Sequence, residues 1–176
     1  MAYGNQVKTD SLSTTYTSEV YPLGSVYVES ASDVAANGSG VSATTTFSLL
    51  QGERTWIFVK AGVALDAGDL VAPNAYGTPF VGKPDVADNT VVQQLLGVAD
   101  HSIALNSFGW IIARGTCVVG GTGSILLGSK LDSHGSTGNA GEVTVSTSTD
   151  STVVGYALEA LSGTLTNFVQ AYVDIS

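Results

Sequence analysis

Asp100-His101-Ser102 sets an acid, a base and a nucleophile side by side, the three residue types of a hydrolytic triad. Contiguous residues of an extended chain point to alternate faces, so these three cannot line up as orienter, base and nucleophile. They read as a solvated strand end. His134, in Ser133-His-Gly-Ser-Thr-Gly, falls in a turn-rich loop and requires no function. Metal ligation needs several converging donors, and the chain offers two histidines and one cysteine, far apart in sequence. Asp66 with Asp69, and Asp85 with Asp88, carry oxygens of the kind calcium takes. Neither pair has the alternating ligands and terminal Glu of an EF-hand loop, so both read as surface turn aspartates. Gly120-Gly-Thr-Gly-Ser124 has the glycines of an anion cradle, but no Gly-Lys-Ser/Thr ending and no helical pattern behind it. It reads as a β-turn. Asn37-Gly38-Ser39 fits the glycosylation acceptor pattern, which is empty without secretion. Cys117 lies in the apolar run Ile111 to Val119, where an inert buried thiol is expected. No catalytic residue, no cofactor and no metal is expected.

The elements around these residues read as strands. Ser25 to Glu29 alternates, with Val26 and Val28 on one face and Tyr27 on the other. Thr44 to Leu50 and Thr55 to Lys60 follow, the latter with apolar residues on both faces, as in strands enclosed on both sides. Asn37 to Gly40 is a turn signal. Three of the four prolines, Pro73, Pro79 and Pro84, mark a loop from Pro73 to Asn89. Strand patterns resume at Thr90 to Ala99, Phe108 to Arg114, Thr116 to Val119 and Ser124 to Leu127. After a polar loop from Asp132 to Gly141 come Glu142 to Ser146, Thr152 to Leu161 and Asn167 to Ile175. Gly155 and the β-branched start of the Val153 to Leu161 stretch favour a strand over a helix there.

Two glycine-punctuated patterns occur twice, in the same order. Val59-Lys-Ala-Gly-Val-Ala-Leu-Asp-Ala-Gly-Asp-Leu-Val71 precedes Leu95-Leu-Gly-Val-Ala-Asp100, and Gly121-Thr-Gly-Ser-Ile-Leu-Leu-Gly-Ser-Lys-Leu131 precedes Val153-Val-Gly-Tyr-Ala-Leu-Glu159. Each half ends in an apolar strand, Trp110-Ile-Ile-Ala and Phe168-Val-Gln-Ala-Tyr-Val-Asp-Ile. The fold class read from this is all-β: a small β-barrel or sandwich built from two related β units, because closure removes exposed sheet edges. Residues 25–176 form a single β domain with quasi-repeats at about 55–115 and 116–176. Residues 1–24, rich in Ser, Thr and Tyr without apolar period, form an extended N-terminal arm.

Composition bounds the function. Hydrophobic residues make up 44% and charged residues 12% of the 176 positions, the latter half the usual share of about 25%, so a packed body is expected rather than disorder. With 15 acids against 6 bases the net charge is -9, which repels a phosphate backbone and excludes nucleic-acid partners. The start of the chain lacks a basic stretch followed by an apolar one, and no segment reaches the roughly 20 apolar residues of a membrane span. No membrane partner is expected, and synthesis is placed in the cytoplasm. Tyr3, Tyr16 and Tyr21 would be wasteful on a free tail, since rings with a polar handle favour interfaces.

The succession Lys60 to Val71, Leu96-Gly-Val-Ala99, Asn106-Ser-Phe-Gly-Trp110, Arg114-Gly115, Gly128-Ser-Lys-Leu131 and Val154-Gly-Tyr-Ala-Leu-Glu159 resembles that of capsid decoration, or cement, proteins of tailed bacteriophages. The resemblance covers about residues 55 to 175 and rests on glycine-turn spacing. It implies a non-enzymatic virion structural protein, a homotrimer on the capsid exterior made in the host cytoplasm. Its partner would be the major capsid protein, whose neighbouring subunits it bridges to stabilise the expanded shell. Tyr3, Tyr16, Tyr21 and Leu23 are the partner-binding candidates, with Trp56 and Trp110 expected inside. Two alternatives stay open. A biotinyl- or lipoyl-like carrier module has similar hairpins but needs a lysine displayed at a tip, and Lys130 lacks the usual flanks. A carbohydrate-binding virion domain needs an aromatic platform, for which Tyr76 and Phe80 are the candidates.

Overall fold

Arg54-Thr-Trp-Ile-Phe-Val-Lys-Ala61 carries large apolar side chains on both faces, and such a run gains most as a strand covered on both sides. In the computed structural model, which describes residues 11–37, 51–75, 78–85, 95–134, 140–146, 153–161 and 167–175, this run is β2 (Arg54–Ala61), Trp56, Phe58 and Val59 all buried. Before it come β1 (Val26–Glu29) and a short helix α1 (Ala31–Asn37). After it follow β3 (Leu70–Pro73), β4 (Val81–Pro84), β5 (Gly97–Val98) and the long β6 (Phe108–Gly120). The series ends with β7 (Lys130–Ser133), β8 (Val143–Val145), β9 (Val153–Ala157) and β10 (Phe168–Asp174). The fold is all-β apart from α1.

The pairings describe two rings that share β6. In the first, β2 pairs with β4 in parallel, β4 with β3, β3 with β5 and β5 with β6, and β6 returns to β2. In the second, the far half of β6 pairs with β10, β10 with β9, β9 with β7 and β7 with β8. A parallel bridge from Val143 of β8 to Gly121 completes it. Every pairing of the first ring has its counterpart in the second, so the two related units foreseen from the glycine rhythm are the two rings.

The correspondence extends to single hydrogen bonds when residues 61–71 are laid on 121–131. Gly68 N–H donates to Ala99 O at 2.7 Å, as Gly128 N–H does to Ala157 O at 2.8 Å. Asp66 N–H donates to Asp69 Oδ2 at 2.8 Å, as Leu126 N–H does to Ser129 Oγ at 3.2 Å. Gly68 and Gly128 have φ of 94° and 79°, a conformation glycine adopts without steric cost, which fixes one glycine in each turn.

Ring one is filled by Val59, Val71, Leu96, Ile103 and Ile111 among others. A larger core joins the opposite face of the same strands, Phe58, Trp110 and Ile112, to the apolar filling of ring two. Trp56 and Trp110 are buried, as expected.

Four sequence expectations are corrected. Helix α1 replaces continuous β structure because Ser30 caps it: its Oγ accepts from Asp33 N–H at 3.3 Å and donates to Asp33 Oδ2 at 2.8 Å. Strand β4 lies inside the stretch read as a loop; Pro73 and Pro84 are the terminal residues of β3 and β4, where a missing N–H is tolerated. The strands read at Phe108 to Arg114 and Thr116 to Val119 are one, since its two halves pair with different partners and need no break between them. Ser124 to Leu127 is a turn and not a strand. The strand read at Thr44 to Leu50, and Gly38 to Gly40 of the turn, lie outside the described residues.

Candidate interaction surface

Aromatic rings that pack on one face and keep the other near solvent are suited to interfaces. Tyr16 is held at β6 by paired backbone hydrogen bonds, its N–H donating to Phe108 O at 2.9 Å and Phe108 N–H to Tyr16 O at 2.8 Å. Its ring meets Phe58 edge-on at 6.0 Å, and Tyr21 meets Phe58 and Trp110 at 5.3 Å each. With Leu12 and Leu23 these half-buried side chains pack against the main core. Tyr16, Tyr21 and Leu23 thus come together over the first ring, while Tyr3 lies outside the described residues.

The chemical candidates are separated by burial. Asp100 and His101 are buried, a correction to the solvated strand end, whereas Ser102 is exposed. The turn that crosses from β5 carries the acid and the base inward while the hydroxyl stays in water, so the three do not converge. Burial pushes the Cys117 thiol up to about 12, with Asp100 adding to the rise and Arg54 opposing it, so it stays protonated at neutral pH. Among the described residues no group of three or more acidic, histidine or cysteine side chains converges as a metal site. His134 N–H donates to Glu142 O at 2.9 Å, stitching the start of the polar loop to β8. Lys130 is exposed but opens β7 opposite Tyr156, three residues beyond the hairpin tip where a carrier lysine would stand. Phe80 packs against the core of ring one instead of forming a platform, and Tyr76 lies outside the described residues.

Two of the aspartates read as surface residues belong to the junction of the rings. Asp85 is buried and accepts a hydrogen bond from Ser133 Oγ; its backbone carbonyl accepts from Gly141 N–H at 2.7 Å. Asp88 lies outside the described residues. Asp69 is half-buried, and burial, together with the charges of Asp66 and Glu142, raises its carboxyl from 3.8 to about 6 against the lowering effect of the Asp66 N–H. A folded state that binds the proton more tightly loses stability as pH rises through this window. Asp69→Asn keeps the acceptor for Asp66 N–H and removes the charge. After a discount for solvent screening, the variant is expected to be about 1 kcal/mol more stable at pH 7, with the gain gone below about pH 4. Urea titrations at the two pH values measure it; equal differences at both would refute the buried charge.

What sequence reasoning missed is apolar and exposed. Leu126 and Leu127 form the tip of the second ring's first hairpin with 63% and 71% exposure. Val63 and Leu105, 44% and 56% exposed, each lie two residues from the bridge between Leu65 and Ile103 in the first ring. The signal for the tip was in the repeat itself, which sets Leu-Leu where the first copy has Asp-Ala.

The sequence matches no protein-family model and no curated protein. Its fold is similar to the crystal structure of the head fiber gp8.5 N base of bacteriophage phi29. The match has a TM-score of 0.50 at 17% identity, covering 70% of this chain and 96% of that one. At that identity the likeness is one of fold.

Proposed function

We propose that this chain is a non-enzymatic structural protein of a tailed-phage virion, seated on the outer surface of the head. The observation that carries the reading is the fold likeness to the base of a phage head fiber, nearly the whole of which it spans. In this reading the protein is made in the host cytoplasm, assembles as a homotrimer and bridges neighbouring major capsid subunits. A protein that binds the expanded shell and not its precursor shifts stability toward the expanded state by linkage.

The organisation carried into this reading is an arm, residues 1–24, ahead of one β body. Tyr3, Tyr16, Tyr21 and Leu23 are the shell contacts. The packing of Tyr16 and Tyr21 on Phe58 supports this, because it fixes the root of the arm while leaving each ring partly exposed. The apolar richness and sparse charge of the chain suit a protein that completes its burial by association.

Co-sedimentation with purified expanded heads tests the reading. The full chain is expected to pellet with heads, and a chain lacking residues 1–10, and Tyr3 with them, to pellet less at the same protein concentration. Failure of the full chain to pellet would remove the virion reading; equal pelleting of the shortened chain would remove Tyr3 and residues 1–10 from the contact.

A further inference from the structure

Strand β1 stands at one end of the sheet with its outer edge open. At the other end β8 is closed by the bridge from Val143 to Gly121, whereas β1 pairs, among the described strands, with β2 alone. Phe58 N–H donates to Ser25 O at 2.9 Å, which fixes the alternation along the ladder: Tyr27 and Glu29 turn their backbone groups toward Trp56 and Arg54. The N–H and C=O groups of Val26 and Val28 therefore point away from β2, and no described residue is hydrogen-bonded to them there. Their side chains are 60% and 54% exposed. Native edges are commonly blunted by lysine, proline or a bulge, because unpaired backbone groups are a template for another strand, and Val-Tyr-Val-Glu has none of these devices.

Backbone, apolarity and charge together define what this edge can hold. An extended segment matches backbone groups that recur every second residue, and exposed valines at those positions favour apolar side chains beside them. From Ser11 to Asn37 the chain has three acids, Glu19, Glu29 and Asp33, and no base. Glu29 is buried with Arg54 3.7 Å away, but Glu19 and Asp33 are exposed. Glu53, also exposed, stands beside the end of β1 in the register that pairs Glu29 with Arg54. Lysine or arginine flanking the apolar positions of an occupant meets this charge, whereas an acidic segment is repelled.

The edge also continues the surface formed by Tyr16, Tyr21 and Leu23. Tyr27 of β1 lies 6.3 Å from the Trp110 ring, which Tyr21 meets at 5.3 Å, so the strand and the tyrosines rest on one aromatic support. We infer that the outer edge of β1 takes up an extended, apolar strand flanked by basic residues and supplied by the head shell. That strand pairs with the backbone of Val26 and Val28 and lengthens the sheet by one member. The inference rests on the virion reading and adds to it how the shell is held: by backbone hydrogen bonds at β1, beside the tyrosines.

Hydrogen exchange of the backbone amides of β1 tests it, measured on the full chain alone and on the full chain bound to purified expanded heads. Exchange at Val26 and Val28 is expected to be fast in the unbound chain and slowed at least about tenfold on heads. Val28→Pro removes an outward N–H and leaves the bonds to β2 in place, a position where an edge strand tolerates proline. It is expected to need at least about tenfold more protein for the same pelleting, with an unchanged thermal melt. Val28→Lys is expected to weaken pelleting more than Val28→Glu, and this pair carries the test if the proline variant melts lower. Pelleting with unchanged exchange, or Val28→Pro and Val28→Lys pelleting like the wild type, would overturn the inference and leave the virion reading standing. Slow exchange in the dilute unbound chain would overturn it by showing the edge covered from within. Slowing with concentration in the absence of heads would overturn it by placing a second copy there. A full chain that does not pellet would remove both the inference and the reading beneath it.

Discussion

Gly155→Ala is expected to lower stability by about 3–4 kcal/mol, a drop in melting temperature on the order of 10 °C for a chain of this size. A Cβ at this position would lie 2.0 Å from Tyr172 O, 2.9 Å from Tyr172 C and 3.0 Å from Val173 Cα. All three are backbone atoms of β10, so no side chain can rotate away. Relief requires β10 to move off β9, where Tyr172 pairs with Tyr156 and Val173 with Gly155, and that motion disturbs the second ring along its β10 wall. The corresponding glycine of the first ring, Gly97, has Ile112 O 2.5 Å from its Cβ position, so the same close approach occurs in both units. A control at Gly123, where a Cβ meets nothing within 4 Å, is expected to cost only about 1 kcal/mol, from its backbone conformation alone. Equal melting temperatures for the two variants would show that β9 and β10 are not in this contact.

Arg54→Met is expected to cost about 3–5 kcal/mol in urea denaturation, because it removes the cation from beside a buried carboxylate. Arg54 and Glu29 are each 1% exposed and lie 3.7 Å apart, and Glu29 Oε2 also accepts from Trp56 Nε1 at 3.0 Å. Arg54 Nε donates to Thr116 O at 2.7 Å. The cluster thus ties β1 to β2 and to the half of β6 that belongs to the second ring. Glu29→Gln removes the carboxylate 3.7 Å from the buried guanidinium and is expected to cost a similar amount. The double change Arg54→Met with Glu29→Leu is expected to be less costly than Arg54→Met alone, since both buried charges leave together. A cost within about 1 kcal/mol for Arg54→Met would mean that water reaches this cluster.

The strands that the sequence made legible are those whose pattern is local. Val26 to Glu29, Arg54 to Ala61 and Phe168 to Asp174 alternate or run apolar over four to eight residues, and each is a strand. Helix α1 was overlooked although Ser30-Ala-Ser-Asp33 is a capping signal, because seven residues carry too little apolar period to register. The opposite error fell on Ser124 to Leu127, where Ile-Leu-Leu looks like a strand core. Ile125 is buried as Leu65 is, but the next two residues continue into the turn. The partner candidates were legible only as residue types. Tyr16 and Tyr21 were expected at an interface by residue type alone, and the packing of Tyr16 on Phe58 and of Tyr21 on Phe58 and Trp110 follows from where the chain crosses the first ring, which no local pattern states.

The sequence by itself determined that the chain is β, that it is built twice from one unit, and which glycines recur in each unit. These are consequences of backbone sterics: a positive φ at Gly68 and Gly128, and a strand passing too close for any Cβ at Gly97 and Gly155, each restrict a single position to glycine. Only the tertiary structure decided that β2 runs parallel to β4, that β6 serves both rings, that Asp100 and His101 are buried, and that Ala67 of one hairpin tip packs on the second ring while Leu126 and Leu127 of its twin are exposed. Burial and strand order are set by residues distant in sequence that become neighbours in space. Two turns with the same local geometry can therefore end in opposite surroundings.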